Sequence, residues 1–524
     1  MLYDKGTNRK PYRIGQLFIV VSGCEHMGVL KRGELVVGAA PSVVLASPLS
    51  EPERGRLGAL FVTNYKLTFV PLDASANDDY GQKNHVVGVF DVPLTCVGAV
   101  WLTDGSAVRR RRLMPRVDIP PKLKGMQIVC KNMKVLTFNF TNSPIGSGRK
   151  IVMALLHHAF PKRHDLLFAF EYREPYYPTL PSDMNMFQRV GDWKRELERC
   201  ECPHWRITCI NGTSDAFMLT AGETLIVPSS VLDYNLMESS RHFRSGRVPI
   251  WVWGRAEGAA LLRSGELLPT EQAATAESVL LEQVRRSHPK LTPPHVLHVC
   301  GTSSGGAPHV LPPLPALLAS YKKMADLCTP TTLSGFWVQD SQYYSILESS
   351  RWLRVRRLTG DGVDYSAVVS SLTQLLLDPR YRTISGFQSL VQKEWLALGH
   401  PFADRFGLPR PGLTKEEIEK EPPSQVAPVF LLFLDCTWQL QHQFPAAFQF
   451  SETYLTTLWD CAHNHLSRQN GAETESDPRP VVSRFYPFSS KTNDSVKPGL
   501  NAMQVSLIDA TQLLDSQSLL NAPD

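Results

Sequence analysis

No run of apolar residues in this 524-residue chain is long enough to cross a bilayer. The stretch from Leu17 to Val21 is too short for the core of a secretory signal and runs into Cys24, Glu25 and His26. Any membrane contact is therefore expected to be peripheral. Excess charge is scarce as well: 55 Lys and Arg against 50 Asp and Glu leave a formal net charge of +5. That is too little, over this length, for a chain built to neutralise a nucleic-acid backbone. The ten cysteines show no paired spacing, which points to reduced thiols in a cytoplasmic protein rather than a disulfide framework. Cys200, Cys202 and Cys209 lack the spacing and the nearby fourth ligand of a zinc thiolate site, so neither metal nor other cofactor is expected.

What is present suffices for more than one core, since 43% of the residues are hydrophobic. From Gly58 to Pro71 apolar and polar residues alternate about an Asn turn at Asn64, a hairpin signal. Val86 to Val89, Val97 to Leu102, Met126 to Cys130 and Val135 to Phe140 read as further short strands, and Gly148 to Phe160 as a closing helix. Strands followed by one helix predict a small capped barrel over residues 31–165, after an N-terminal segment 1–30. A linker over 166–190, densest in Tyr, Pro and Asp from Tyr172 to Met186, leads to a second unit over 191–463 that opens on a helix at Gly191 to Leu197. The tail 464–524 is polar, is expected to be disordered, and carries no sustained heptad over Gln504 to Leu520.

A nucleophile is hard to find. Cys300 is followed by Gly-Thr-Ser-Ser-Gly-Gly306, small residues able to turn around a phosphate. The sixth position holds Gly306 where an Arg would be needed, and Pro312, Pro313 and Pro315 keep a helix from starting close behind. This segment reads as a flexible loop.

A different stretch, Thr359-Gly360-Asp361-Gly362-Val363-Asp364-Tyr365, carries an Asp-Gly-x-Asp spacing, and it is followed by Ser371 to Gln374, Leu377 to Thr383, Gly386-Phe387 and Lys393-Glu394-Trp395. In that order these segments resemble the phosphate loop of the myotubularins and the helices immediately C-terminal to it. The myotubularins are phosphoinositide 3-phosphatases whose loop reads Cys-Ser-Asp-Gly-Trp-Asp-Arg-Thr. Leu60 to Phe69 resembles the PH-GRAM domain that precedes the phosphatase module, and Arg247 to Gly254, Pro428 to Leu440 and Gln443 to Leu455 also resemble family segments. The resemblance implies a PH-GRAM-like β-barrel capped by a helix and then a cysteine-phosphatase-like α/β domain. It also implies a dead site. Thr359 stands where the family has its nucleophilic Cys and Tyr365 where it has the Arg. A Thr hydroxyl is a far weaker acid than a thiol, and a neutral phenol with one donor cannot fork onto phosphate oxygens as a guanidinium does. Leu353 to Leu358 leave no room for the helix and buried strand that deliver the loop in the family, and Arg354, Arg356 and Arg357 make a poor central strand. A piece of the core is expected to be missing.

Between the strands of the first unit lie Arg109, Arg110, Arg111 and Arg112, with Lys122 and Lys124 nearby. They read either as a surface for anionic lipid headgroups, at about 1 kcal/mol per charge, or as a solvated hairpin tip. Three functions stay open: an inactive adapter that pairs with an active myotubularin, as the resemblance implies; a peripheral phosphoinositide-binding module without adapter role; and a residual enzyme with another nucleophile.

Overall fold

The structure, a computed structural model, describes residues 30, 33–46, 55–72, 87–88, 90–104, 110–115, 117–161, 166–168, 185–187, 189–212, 216–218, 221–256, 258, 260–296, 314–328, 362–407 and 426–463. It is a mixed α/β protein with a large antiparallel sheet and two hydrophobic cores. The expected missing helix and strand before residue 359, the loop after Cys300 and the tail 464–524 lie outside the described residues.

The first core is wrapped by eight antiparallel strands, β1 (Val36–Ala46), β2 (Gly55–Thr63), β3 (Lys66–Pro71), β4 (Asp91–Pro93), β5 (Val97–Thr103), β6 (Arg110–Leu113), β7 (Gly125–Cys130) and β8 (Val135–Asn139), in the order β4-β3-β2-β1-β8-β7-β5-β6. The described ladder is open, with β4 and β6 as its edges. The expected hairpin is β2–β3, in register Leu60 to Phe69 and Val62 to Leu67, and Thr63 Oγ1 closes its turn by accepting from the backbone N–H groups of Tyr65 and Lys66 at 3.1 and 2.8 Å. Period two sends Leu67 and Phe69 inward. Val87 and Gly88 are not in a strand; pairing resumes at Asp91, whose carboxylate receives the Lys66 ammonium at 2.5 Å. Helix α1 (Ser147–Ala159) lays Ile151, Val152, Leu155 and Leu156 on the sheet, the spacing of one apolar helix face.

The second core gathers α2 (Val190–Arg199), β9 (Trp205–Thr208) paired with β10 (Leu225–Pro228), α3 (Asp233–Ser240), β11 (Ile250–Gly254) paired with β12 (Ala260–Arg263), α4 (Ala273–Ser287), α5 (Leu314–Cys328), α6 (Tyr365–Leu377), α7 (Ile384–Val391), α8 (Phe402–Arg405), α9 (Val429–Gln443) and α10 (Glu452–Ala462). The linker boundary shifts: Met186 and Phe187, expected in the linker, are buried in this core. Trp251 and Trp253 are core residues as well. Helix α5 starts at Leu314 with Pro315 in its first turn, where a missing N–H costs nothing. The centre is aromatic. Trp395 is fully buried, with ring centroids 4.9 Å from Phe430 and 5.2 Å from Phe433, and Phe387 lies 4.5 Å from Phe450.

The two cores meet along a polar seam. Thr95 Oγ1 donates to the His463 carbonyl at 2.8 Å, Asn132 Nδ2 to Asp460 at 2.7 Å, and the Trp459 indole N–H to the Asn132 carbonyl at 3.3 Å. Burial holds the His463 imidazole down to about 4, so its ring is neutral at pH 7 and accepts no cationic role there. Among the described residues no helix is long and apolar enough to cross a membrane.

Truncating Trp395 to Ala should cost about 3–5 kcal/mol, because the surrounding rings cannot collapse into the space. Urea unfolding followed by far-ultraviolet circular dichroism should show a lowered midpoint at an unchanged slope; a midpoint equal to that of the parent chain would contradict this packing.

Candidate functional site

Of the loop read from the sequence, Gly362, Val363, Asp364 and Tyr365 are among the described residues, while Thr359, Gly360 and Asp361 fall outside them. Gly362 has φ +76°, and a Cβ there would stand 2.6 Å from the Ser264 carbonyl oxygen and 2.9 Å from Gly265. Both the backbone conformation and the space require glycine. Helix α6 begins immediately behind, at Tyr365. Asp364 occupies its N-cap position but makes no side-chain cap bond. Its carboxylate is turned to Arg405 instead, which donates from Nε and Nη2 at 2.8 Å each, and His400 Nδ1 lies 3.3 Å away. Burial opposes ionisation of Asp364, but the His400 ring and the Arg405 guanidinium outweigh it and hold the carboxyl well below its usual range.

Tyr365, at the position matched to the family's Arg, is 3% exposed and part of the hydrophobic core. A side chain held there faces packing rather than an open phosphate cradle.

Behind α6 runs a buried polar network that connects the loop to distant elements. Arg263, at the end of β12, donates to the Gly362 carbonyl at 3.0 Å and pairs with Glu394 at 2.8 Å. The other Glu394 oxygen accepts from Gln374 Nε2 at 2.6 Å, and Gln374 Oε1 accepts from Lys393 Nζ at 2.7 Å. Lys393, with 0% of its side chain exposed, donates further to the Val252 carbonyl at 2.7 Å and Tyr381 OH at 2.6 Å, and lies 3.3 Å from Glu196. Glu196 also accepts from Tyr381 OH and from Arg199, which reaches on to Asp378 at 2.9 Å. Burial would raise Glu196, but Lys393 and Arg199 hold it far below the ordinary carboxylate range. Burial and the Glu196 charge push the Tyr381 phenol well up. Gln392–Ala397 forms a π-turn, which widens the helix enough to bury Lys393, Glu394 and Trp395 consecutively.

Lys393, Glu394 and Tyr381 stand within family-like segments of the sequence, yet nothing local gives them a role. His400 and Arg405 were missed altogether. The available signal was Asp364 itself, since a buried carboxylate needs a partner, but its partner lies 41 residues away.

Arg110, Arg111 and Arg112 form edge strand β6, exposed as charged edges are, while Arg109 lies outside the described residues. Arg110 lies over the Trp101 ring at 4.7 Å and donates to Gln127 at 3.2 Å. Thr103 pairs with both Arg110 and Gly125, so the exposed Lys122 and Lys124 stand at the Arg110 end of the same strands.

Cys200 and Cys202 are buried and Cys209 is exposed. Burial and the neighbouring Cys200 push Cys202 up to about 12, which disfavours a reactive thiolate. Among the described residues no group of three or more His, Cys, Asp or Glu is placed to hold a metal ion.

Replacing Arg405 with Met strands a buried carboxylate and should cost about 3–5 kcal/mol. With Asp364→Asn in the same chain the two losses should fall well short of additive, a coupling that urea unfolding of the four proteins measures. Because the folded carboxyl sits below its unfolded value, its contribution is present above about pH 4 and is lost as the pH falls below it. Additive costs, or an Arg405→Met penalty that persists undiminished at pH 2, would contradict the pair.

A family model described as a myotubularin-like phosphatase domain matches residues 167–299 and 358–468, the second block opening one residue before Thr359. Among curated relatives, myotubularin-related protein 10-B of Xenopus laevis is 30% identical over 476 residues, covering 84% of this chain and 59% of the relative. Human myotubularin-related protein 10 is 30% identical over 482 residues, 82% of this chain and 59% of the relative. Mouse myotubularin-related protein 12 is 31% identical over 462 residues, 82% of this chain and 58% of the relative. The chain thus spans 58–59% of the length of these relatives. With the phosphatase-like blocks, the Gly362 turn and the helix behind it in the matched order, the chain belongs to the myotubularin-related family.

Proposed function

We propose that this chain is a catalytically inactive, pseudophosphatase member of the family that acts as an adapter or regulator of an active phosphoinositide 3-phosphatase, with its eight-stranded sheet and helix α1 as a PH-GRAM-like domain. The carrying observation is Tyr365: a buried phenol in the first turn of α6, aligned by Gly362 and Asp364 with the family's phosphate-binding Arg. The charges around it favour the same reading. Arg263 and Arg405, which contact the described half of the loop, are each paired with a buried carboxylate. Thr359, in the sequence position of the nucleophile, has neither the acidity nor the polarisability of a thiol. The family resemblance supports a partner from the active myotubularins, while the unpaired cysteines and the lack of a long apolar run support a cytoplasmic location with any membrane contact peripheral.

A peripheral lipid-binding module without adapter role is the second reading, favoured by the exposed basic edge formed by Arg110 to Arg112 with Lys122 and Lys124.

Purified chain should release no phosphate from phosphatidylinositol 3-phosphate above a buffer blank, and Thr359→Cys with Tyr365→Arg should not restore turnover, because the introduced Arg enters a packed core. Turnover that disappears in Thr359→Ala would contradict the reading. For the second reading, replacing Arg110, Arg111 and Arg112 with Ala should weaken sedimentation with anionic liposomes at low salt. Equal sedimentation of both proteins would dismiss it.

A further inference from the structure

One tight turn joins the first unit to the second. Lys131 to Lys134 link β7 to β8, with Met133 in the left-handed region at φ +73° and the Cys130 N–H closing on the Lys134 carbonyl at 2.8 Å. The turn touches the second unit at three places. The Lys131 carbonyl accepts from Tyr321 OH of α5 at 3.0 Å, and its ammonium reaches the Gly407 carbonyl, just past α8, at 3.4 Å. Asn132 grips α10: its side-chain Nδ2 donates to Asp460 at 2.7 Å, and its carbonyl accepts from the Trp459 indole at 3.3 Å. Its Oδ1 accepts from the Lys134 N–H at 3.2 Å, so both ends of the amide are used, and the reverse orientation would set donor against donor and oxygen against carboxylate. Trp459 packs in turn on Tyr321 and Phe406, with ring centroids 6.5 and 5.4 Å apart.

We propose that the β7–β8 turn is a clasp, centred on Asn132, that makes the two units one cooperative body and fixes the direction in which the basic edge faces. Asn132 is the one member of the turn that bonds across the seam with both side chain and backbone while holding the turn itself. Thr95 adds a bond beside it, to the His463 carbonyl. Arg110 stands level with Gly125, at the opposite end of β7 from the clasp, a separation of about 17 Å along a six-residue strand. A closed clasp therefore holds Arg110, Lys122 and Lys124 away from the seam. The first unit keeps a core of its own, so opening the clasp frees its orientation without unfolding it. The charged and titratable groups around the Asn132–Asp460 bond are Lys131 and Lys134 on the turn, Asp91 of β4, Cys96, Cys130 and His463, whose ring is neutral above about pH 4. The proposal rests on this seam and not on the adapter reading.

In the full-length chain, Asn132→Asp removes the donor and sets a second carboxylate against Asp460, a like-charge contact that opposes docking. At pH 8 its far-ultraviolet circular dichroism should match the parent, while small-angle scattering should give a larger radius of gyration and backbone hydrogen exchange across α5 and α10 should quicken by about tenfold or more. Exchanging the pair, Asn132→Asp with Asp460→Asn, restores one donor and one acceptor and should return both readouts to the parental values. Lowering the single variant to about pH 5 should also close it, because facing carboxylates then share a proton; this docking is present at low pH and lost as the pH rises through the raised value. Parental radius and exchange in Asn132→Asp at pH 8, or an opening that survives the exchanged pair or the lower pH, would overturn the clasp.

Discussion

The second unit is organised around an ammonium group that water does not reach. Lys393 has 0% of its side chain exposed, and an isolated charge in that position would be prohibitively costly. It is tolerated because Glu196, Tyr381, Gln374 and the Val252 carbonyl surround it. Those partners come from α2, the turn after α6, α6 itself and β11, so one nitrogen fixes the relative placement of four parts of the chain. The network continues through Gln374 to Glu394 and Arg263 and ends on the Gly362 carbonyl. Its members alternate in sign, which leaves the interior nearly neutral.

This arrangement explains how a phosphatase-like loop can keep its shape once its chemistry is lost, as the pseudophosphatase reading requires. Gly362 is fixed by backbone approach, Asp364 by Arg405 and His400, and the start of α6 by the packing of Tyr365. None of these contacts needs a nucleophile. A Tyr at 365 in place of the family's Arg is itself part of this shell, whereas replacing Gly362 or Asp364 would break it.

Much of this was legible in the sequence, for reasons that differ by element. The β2–β3 hairpin announced itself through the alternation of Lys66 to Pro71 and an Asn turn, and α1 through its apolar face. β1 did not, because Pro41 and the irregularities after Val36 and Ala40 break its alternation. β6 was hidden since three consecutive arginines suggest a loop; only the pairing with β5 makes them an edge strand. In the site, Gly362 and Asp364 were readable through the resemblance of their spacing to the family's loop. Their partners were not: Arg405 and Arg263 reach the loop through tertiary packing, from α8 and β12, and nothing local marks either as a partner.

The adapter role is the claim on which the account turns, and it predicts a physical complex. Sedimentation velocity of this chain mixed with a purified active myotubularin should show a species heavier than either component, and the turnover or thermal half-life of the active enzyme should change as the complex forms. Two components that sediment independently at micromolar concentration, with the enzyme's turnover and half-life unchanged, would contradict it.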